Sequence, residues 1–420
     1  MTLWKRLIVF TLMLILYKPA GAEAMTKEDA LKRALEHNPS IQLSLARIES
    51  AMGEKIQASL MPNPEAVFEI ENFGGSDELS GVNGAEATLG LEQQIELAGK
   101  RIKRTKIADY NTKIAEEQAI ADILQLLSQT EIAFINVAIQ QERLTLANNR
   151  VSLAQETHKT VKERVSAAAA SDIQHTKIDI EQSAAELELA KARKDLSHAK
   201  TRLAALLNTK DDVQVDMVLD NLPILPERNI LLDAVKKMPQ MRINQFLKMQ
   251  AQSQLDLAKA NAIPDPVIGL GLRRFNESDD TAFVAGISIP IPVFNRNQGE
   301  ILKARSQIAE AEASAQQQEL DIREVSLNTW ESLTSIYNEA ETYQSSMIPD
   351  AERAYNQALE GYSAGRFSFL DLLDAQRTLY EVEENRLDSL LSLYEAKSRT
   401  DFLMNTHLPL VHNFVKGKTQ

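Results

Sequence analysis

The longest feature of the sequence is a helical pattern between residues 100 and 222, a stretch without Gly or Pro. Apolar residues recur there at heptad spacing, which places them on one side of a helix that packs against others. They include Ile120, Leu127, Phe134, Leu189, Leu196 and Leu203. The pattern breaks at 165–172, where Ser171-Asp172 is typical of a helix start. We expect a helix of about 65 residues, roughly 100 Å long, then a turn and a returning helix of about 35 residues.

Shorter runs before this helix have apolar residues at every second position. Residues 66–70 and 85–91 alternate in this way, and the polar, Gly-rich loop 72–84 joins them. Two alternating runs around a polar loop predict a β-hairpin, here over about 64–95. Each run is close to the length of roughly 9–11 residues that a membrane-spanning strand needs.

The same plan recurs about 200 residues further on, which is the signature of an internal repeat. Asn38-Pro39 corresponds to Met238-Pro239, and Met61–Pro64 corresponds to Ile263–Pro266. The long helix and the returning helix form a first helical hairpin over about 98–207. The repeat predicts a second β-hairpin over about 266–293 and a second helical hairpin over about 298–405. We assign 23–222 and 223–406 to the two repeats.

Two places depart from the repeated pattern. Pro349 lies inside the second long helical run and is expected to kink or restart it, because proline cannot donate the backbone hydrogen bond of a helix interior. The tail 407–420 is polar and is expected to be disordered.

The composition of the chain excludes several classes of function. The chain has no cysteine, which excludes disulfides, thiolate catalysis and lipid attachment through an N-terminal Cys, and its net charge of −13 argues against a nucleic-acid partner. A basic start, an apolar run from Leu7 to Tyr17 and the small residues Ala20-Gly21-Ala22 predict a cleaved export signal over 1–22.

The predicted strands have a consequence for assembly. Four strands cannot close a barrel, and lipid does not tolerate an open sheet edge. Three chains that share twelve strands are a natural solution. The long helices would continue the barrel as a tube. Small soluble hairpins that cap a helical bundle are the alternative.

Acidic residues are the candidate functional groups of such a conduit. Asp371 and Asp374 lie one turn apart after the second helical turn, where copies would form a carboxylate ring that attracts cations. They also fit a plain helix N-terminus, which favours acids. Tyr362 and Arg366 flank the turn and either tie neighbouring hairpins or lie at the surface. The polar strand faces would make the outer mouth acidic through Glu65, Glu69, Glu71, Glu86 and Glu92.

Several motifs resemble the outer-membrane efflux family typified by TolC, and within it the heavy-metal branch of CzcC/CusC-like proteins. The resemblance covers almost the whole mature chain and rests on four segments. They are 63–75, 94–101 (Gln-Ile-Glu-Leu-Ala-Gly-Lys-Arg), 289–299 (Ile-Pro-Ile-Pro-Val-Phe-Asn-Arg-Asn-Gln-Gly) and 362–376. The first turn departs from the family pattern, with Ala168 where Gly is common.

The resemblance implies a mainly α fold with a β-barrel part. Its two tandem repeats of helix, β-hairpin, long helix and helix would form a homotrimer with a 12-stranded barrel in outer-membrane lipid, continued by a periplasmic α-helical barrel. It implies docking to a periplasmic adaptor and, through it, to an inner-membrane RND pump. By position, Tyr362, Arg366, Asp371 and Asp374 would form the tip gate. The adaptor contacts would be Ala167, Ala168, Ser171, Ala364, Gly365 and Ser368.

Other functions are less compatible with the sequence. No phosphate loop or nucleophile motif is present, so we expect neither an enzyme nor a cofactor. The histidines are not expected to share a helix face with an acid at zinc-ligand spacing, so no metal site is predicted; they are His37, His158, His175, His198, His407 and His412. An adaptor protein would have one helical hairpin and not two. A multidrug or type I secretion exit duct stays open as the alternative to metal export.

Overall fold

The computed structural model describes residues 24–77, 81–167, 171–210, 212–219 and 221–419. The expected export signal over 1–22 and Ala168 of the first helical turn lie outside these residues. The N-terminal helix α1 (Lys27–His37) begins at Thr26, whose hydroxyl accepts a hydrogen bond from the Asp29 amide. The Asp29 carboxylate binds back to Thr26 and completes a capping box.

The first half continues with a second helix, then a β-hairpin, and then a long helical hairpin. Its elements are α2 (Pro39–Ser59), β1 (Glu65–Glu71), β2 (Glu86–Gln94), α3 (Lys100–Ser166) and α4 (Asp172–Leu206). The predicted long helix is therefore confirmed, and its 67 residues span about 100 Å.

The second half has the same order of elements. They are α5 (Arg228–Val235), α6 (Pro239–Asn261), β3 (Val267–Phe275), β4 (Thr281–Ser288), α7 (Gln298–Thr342), α8 (Ile348–Ser363) and α9 (Phe369–Leu403). A π-helical turn at Tyr343–Met347 separates α7 from α8, and Pro349 lies in the first turn of α8. The expected restart at Pro349 is confirmed, because a proline is tolerated in a first turn, where amides lack helical partners.

The four strands form one antiparallel sheet in the order β1-β2-β3-β4. The central pair joins the two halves of the chain, with Leu89 opposite Leu272 and Leu91 opposite Leu270. Gly90 faces Gly271 at this seam, where a Cβ on Gly271 would come within 2.9 Å of the Leu89 carbonyl oxygen. Glycine at the seam therefore permits the close approach of the two halves.

Apolar clusters follow the helices from the sheet towards the far end. Ile48, Ile123 and Leu127 pack on the sheet side. Phe134, Leu203, Leu333 and Leu390 fill the middle, and a third cluster with Val161, Ile178, Tyr362 and Leu372 lies near the helical turns. None of the described helices is long and apolar enough to cross a membrane.

The prediction of a disordered tail was wrong. Residues Leu408–Thr419 form helix α10, whose Val411 and Val415 are buried against the sheet-side cluster. The spacing of four residues places both valines on one helix face.

His407, just before α10, lies beside buried Glu131, which binds Lys27 at 3.0 Å. Burial alone would raise the pKa of Glu131, but His407 and Lys27 outweigh burial and lower the pKa to about 2.

Candidate functional site: the sheet faces and the paired helical turns

One face of the sheet is apolar and exposed to solvent in the single chain. The strand register places alternate residues of all four strands on it. Phe283 is 93% exposed and Leu270 is 66% exposed. The remaining large side chains of this face are Phe68, Ile70, Leu89, Leu91, Ile268, Leu272 and Ile287. A contiguous apolar surface of this size marks a contact with lipid or protein.

The opposite face carries the predicted acids. The register places Glu65, Glu69 and Glu71 of β1 beside Glu86 and Glu92 of β2 on this face. Arg273 of β3, which no pattern in the sequence singles out, binds Glu71 at 2.6 Å and Glu86 at 2.9 Å. This face therefore combines five carboxylates with one guanidinium, and its charge is negative but partly compensated.

Ion pairs fix the junction between sheet and helices. Lys100, the first residue of α3, binds Asp265 at 2.7 Å, and both side chains are 10% exposed. Burial alone would raise the pKa of Asp265, but the Leu97 amide, Lys100 and Gln94 lower it. Because Asp265 precedes β3, this contact joins the first half of the chain to the second. It also sets the direction in which α3 leaves the sheet.

At the far end of the helices, Tyr362 lies between the two helical hairpins. The residue is 1% exposed. Its hydroxyl donates a hydrogen bond of 3.2 Å to Gln174 of α4, and the Arg164 guanidinium of α3 stacks 4.5 Å from its ring centroid. Arg164 also donates to the Tyr362 carbonyl oxygen. Of the two roles expected for Tyr362, the structure gives it the tie between hairpins of one chain and not a surface position.

The turn between α8 and α9 is built on two glycines and a cap. Gly365 adopts φ +73°, a conformation that favours glycine. A Cβ on Gly361 would lie 2.1 Å from the Phe367 ring. At the start of α9, the Ser368 hydroxyl accepts from the Asp371 amide and the Asp371 carboxylate accepts from Ser368. These contacts fix the turn within a few residues of sequence.

The other gate candidates lie at the surface of this turn. Arg366 and Asp374 are exposed, as is Asp371, whose carboxylate serves the cap. The Ser368 hydroxyl and amide hydrogen bonds lower the pKa of Asp371. The docking candidates Ala364, Gly365 and Ser368 are also exposed. The expected gate residues are thus close in sequence, but Tyr362 points into the protein and the rest point outward.

The turn between α3 and α4 differs. Ala167 and Ser171 are exposed, and Ser171 precedes α4 without a side-chain capping bond.

The expectation that no histidine shares a helix face with an acid at zinc-ligand spacing was wrong. His175 and Asp179 are four residues apart on α4 and their side chains meet at 3.0 Å, because such a spacing is about one helical turn.

Comparison with known proteins identifies the family to which the chain belongs. The sequence profile of the family described as outer membrane efflux protein matches residues 30–209 and again residues 231–406. The chain belongs to this family. Outer membrane efflux proteins are exit channels and not enzymes, so the expected absence of a catalytic site agrees with the family.

Two relatives of this efflux protein are metal-resistance proteins by name. The chain is 29% identical over 396 residues to the cobalt-zinc-cadmium resistance protein CzcC of Cupriavidus metallidurans, covering 94% of this chain and 93% of that protein. It is 24% identical over 302 residues to the nickel-cobalt-cadmium resistance protein NccC of Alcaligenes xylosoxydans, and the match covers 70% of this chain and 67% of that protein.

Solved structures place this efflux protein in the same fold. The outer-membrane channel OprN superposes with a TM-score of 0.77 at 18% identity, and the match covers 90% of this chain and 89% of that chain.

The sequence patterns predict the hairpins and turns of this fold, but they do not reveal the residues that hold the turns in place. Gly361, Phe367 and Arg164 act through contacts that no short motif reveals.

Proposed function

We propose that this chain is the outer-membrane exit channel of a tripartite RND-type efflux system that exports heavy-metal cations, of the cobalt/zinc/cadmium or copper/silver class, to the exterior. The observation that carries the proposal is the similarity over 94% of the chain to a cobalt-zinc-cadmium resistance protein. Residues 1–22 are the export signal in this proposal, and 23–222 and 223–406 are its two repeats.

The sheet edges support a shared barrel. Strands β1 and β4 pair on one side only in the described chain. The sheet is antiparallel with an even number of strands, so β4 of one copy has the direction needed to pair with β1 of the next. Closure removes the open edges that lipid does not tolerate, and three copies give twelve strands. The apolar face then contacts lipid and the acidic face lines the lumen.

An apolar stripe on α4 supports the same assembly in the helical part. Ile173, Ile180 and Leu187 follow heptad spacing and are 69%, 62% and 73% exposed. Side chains at this spacing form one helix face, which packs against another helix in a coiled coil. The proposal gives this face to a neighbouring copy. An Ile180→Asp variant is expected to reduce the trimer fraction in mass measurements, whereas Ile224→Asp, an exposed site outside the helices, serves as the control.

The helical turns are the proposed docking and gating end. Exposed backbone at Ala167, Ser171, Ala364, Gly365 and Ser368, with neighbouring Ala168, would contact a periplasmic adaptor that connects to the inner-membrane pump. Arg366, Asp371 and Asp374 would surround the opening, and Tyr362 would hold the second turn against the first. Rings of carboxylates attract cations and repel anions.

The cargo is tested in a strain that lacks this gene. Its growth is measured with zinc, cadmium, cobalt, nickel, copper and silver, and separately with dyes and detergents. Hypersensitivity to one or two metals alone is the expected result. Hypersensitivity to dyes and detergents with unchanged metal tolerance would overturn metal export in favour of a multidrug duct, and a secretion defect alone would favour a type I system.

The gate is tested by conductance in planar bilayers. Asp371→Ala combined with Asp374→Ala is expected to raise single-channel conductance and to lower cation preference, because the carboxylate ring is lost. Asp371 also caps α9, so Ser368→Ala is the matched control that removes the cap partner and keeps the charge. Unchanged selectivity in the double variant would contradict the gate assignment.

A further inference from the structure

Three potential metal ligands converge between α3 and α4, near the turn that joins them. His158 Nε2 lies 2.9 Å from Asp179 Oδ1, and His175 Nδ1 lies 3.0 Å from Asp179 Oδ2. The three ligand atoms lie within 4.8 Å of one another. The two imidazole rings meet edge to face with centroids 5.2 Å apart. The cluster therefore draws its ligands from both helices.

Local packing determines these positions. Val161 of α3 and Ile178 of α4 are fully buried in the same cluster, which holds the two helices side by side. His158 lies three residues before Val161, and His175 and Asp179 flank Ile178 in sequence. The helix geometry thus carries all three ligand side chains to the rim of the buried seam. His175 and Asp179 are four residues apart, the spacing at which two side chains of one helix bind a common ion.

The cluster lies on a different face of α4 from the contacts with the second helical hairpin. Gln174 and Glu181 make those contacts, with Tyr362 and Arg377 respectively. The ligand side chains are 23% exposed at His158, 33% at His175 and 49% at Asp179. An ion can therefore reach them from solvent, while one side of the cluster is closed by protein.

The contacts of Asp179 with the two histidines are close to the ligand separations around a small ion. Zinc binds imidazole nitrogen and carboxylate oxygen at about 2.0–2.2 Å, so the ligand atoms of a tetrahedral site lie roughly 3.3 Å apart. The two contacts of Asp179, one through each carboxylate oxygen, are within about half an ångström of that value, and the three ligand atoms lie within 4.8 Å of one another. Imidazole ligands suit zinc and nickel, and sites of nitrogen and oxygen ligands bind Co²⁺ with an affinity between those for Fe²⁺ and Ni²⁺. Zinc also binds carboxylate oxygen. Three protein ligands leave one coordination position for water.

We propose that His158, His175 and Asp179 form a binding site for a divalent transition-metal cation of the zinc, cobalt and nickel class. The bound ion joins α3 to α4 one to two helical turns from their connecting turn, and so fastens the first turn of the protein. The site does not depend on the identity of the exported cargo. A hydrogen-bonded His-Asp-His group that binds no ion is the competing explanation of the same contacts.

The test uses the purified full-length channel in detergent, prepared without a polyhistidine tag and stripped of metal. Co²⁺ binding is followed by its visible absorption, and Zn²⁺ is then added as a competitor. The expected result is one saturable Co²⁺ site per chain that Zn²⁺ displaces. His175→Gln and Asp179→Asn are each expected to weaken binding about 100-fold or more, since loss of an outer-shell partner alone costs about 10–100-fold.

The control is His198→Gln, which removes an exposed histidine from the same helix but outside the cluster. It is expected to bind Co²⁺ as the unaltered protein does. Absence of a saturable site, or equal binding by His175→Gln and the unaltered protein, would overturn the proposal and leave the hydrogen-bonded group.

A second readout separates ligand loss from misfolding. Zn²⁺ is expected to slow hydrogen exchange in segments 155–167 and 171–182 of the unaltered protein and of His198→Gln, but not of Asp179→Asn. All variants should retain the same helical circular dichroism. Equal exchange with and without Zn²⁺ in the unaltered protein would overturn the fastening role. Metal tolerance of cells that carry Asp179→Asn reports separately on export, so failure of this site and failure of the proposed function are distinguishable.

Discussion

The two helical turns occupy corresponding places in the two halves of the chain, but different interactions hold them. The second turn has a capping box at Ser368 and Asp371, a left-handed glycine at position 365 and a ring packed over Gly361. The first turn has no side-chain bond at its N-cap, Ser171. Beside it lies the group formed by His158, His175 and Asp179.

The two halves of the chain therefore share a fold although different local interactions hold their turns. The second turn is held by contacts among neighbouring residues, and none of these contacts involves a residue of the His158, His175 and Asp179 group. The first turn depends on side chains that come from two helices, and metal binding would couple its stability to ion concentration. The contact of Tyr362 with Arg164 and Gln174 links the two turns.

The largest expected effect comes from Gly361→Ala in the second turn. The added methyl group would lie 2.1 Å from the Phe367 ring and force that ring out of its place. Overpacking of this kind costs about 1–3 kcal/mol. We expect faster hydrogen exchange in segment 358–372 and little change in segment 155–167.

Two variants serve as controls for this prediction. Gly361→Ala combined with Phe367→Ala removes the clash and should restore part of the lost protection. Gly53→Ala adds a methyl group in α2 where no atom lies within 4 Å, and it should be neutral or stabilise by up to about 1 kcal/mol. If Gly361→Ala exchanges as slowly as the unaltered protein, packing against Phe367 does not hold the turn.

A smaller effect is expected from a matched pair of serine substitutions. Ser368→Ala removes a capping bond and should destabilise the start of α9 by about 1 kcal/mol. Ser171→Ala removes a hydroxyl that makes no capping bond and should change stability by less than about 0.5 kcal/mol. Hydrogen exchange of the first turns of α9 and α4 measures both. Equal losses would remove the proposed contrast between the turns.

The sequence predicted the elements far better than the interactions between them. The heptads and alternating runs follow from local periodicity, so α3, α4 and the hairpins were found close to their true ends. Periodicity does not report which faces meet. For that reason the sequence left Tyr362 open between a tie and a surface position, and it did not reveal the pairing of Arg273 with Glu71 and Glu86.

Two errors had separate causes. The tail was judged by its average polarity, which hid the Val411 and Val415 pair that anchors α10. The histidines were judged by comparison with zinc motifs, whereas His158 lies on α3 and meets His175 and Asp179 only because α3 and α4 pack together. A search for i, i+4 pairs of histidine and acid would have found two of the three residues of this group.

The smallest expected effect concerns acid and Asp371. The Ser368 hydroxyl and the Ser368 amide donate to its carboxylate and lower its pKa. A carboxyl group whose pKa is lower in the folded state stabilises above its unfolded pKa of about 3.9. That contribution is lost as the pH falls through the folded pKa. Protection of 368–374 against hydrogen exchange, corrected for intrinsic rates, should therefore exceed that of Asp371→Asn at pH 6, and the two should converge as the pH falls below the lowered pKa of folded Asp371. A difference that persists at low pH would mean that the carboxylate charge does not stabilise the second turn.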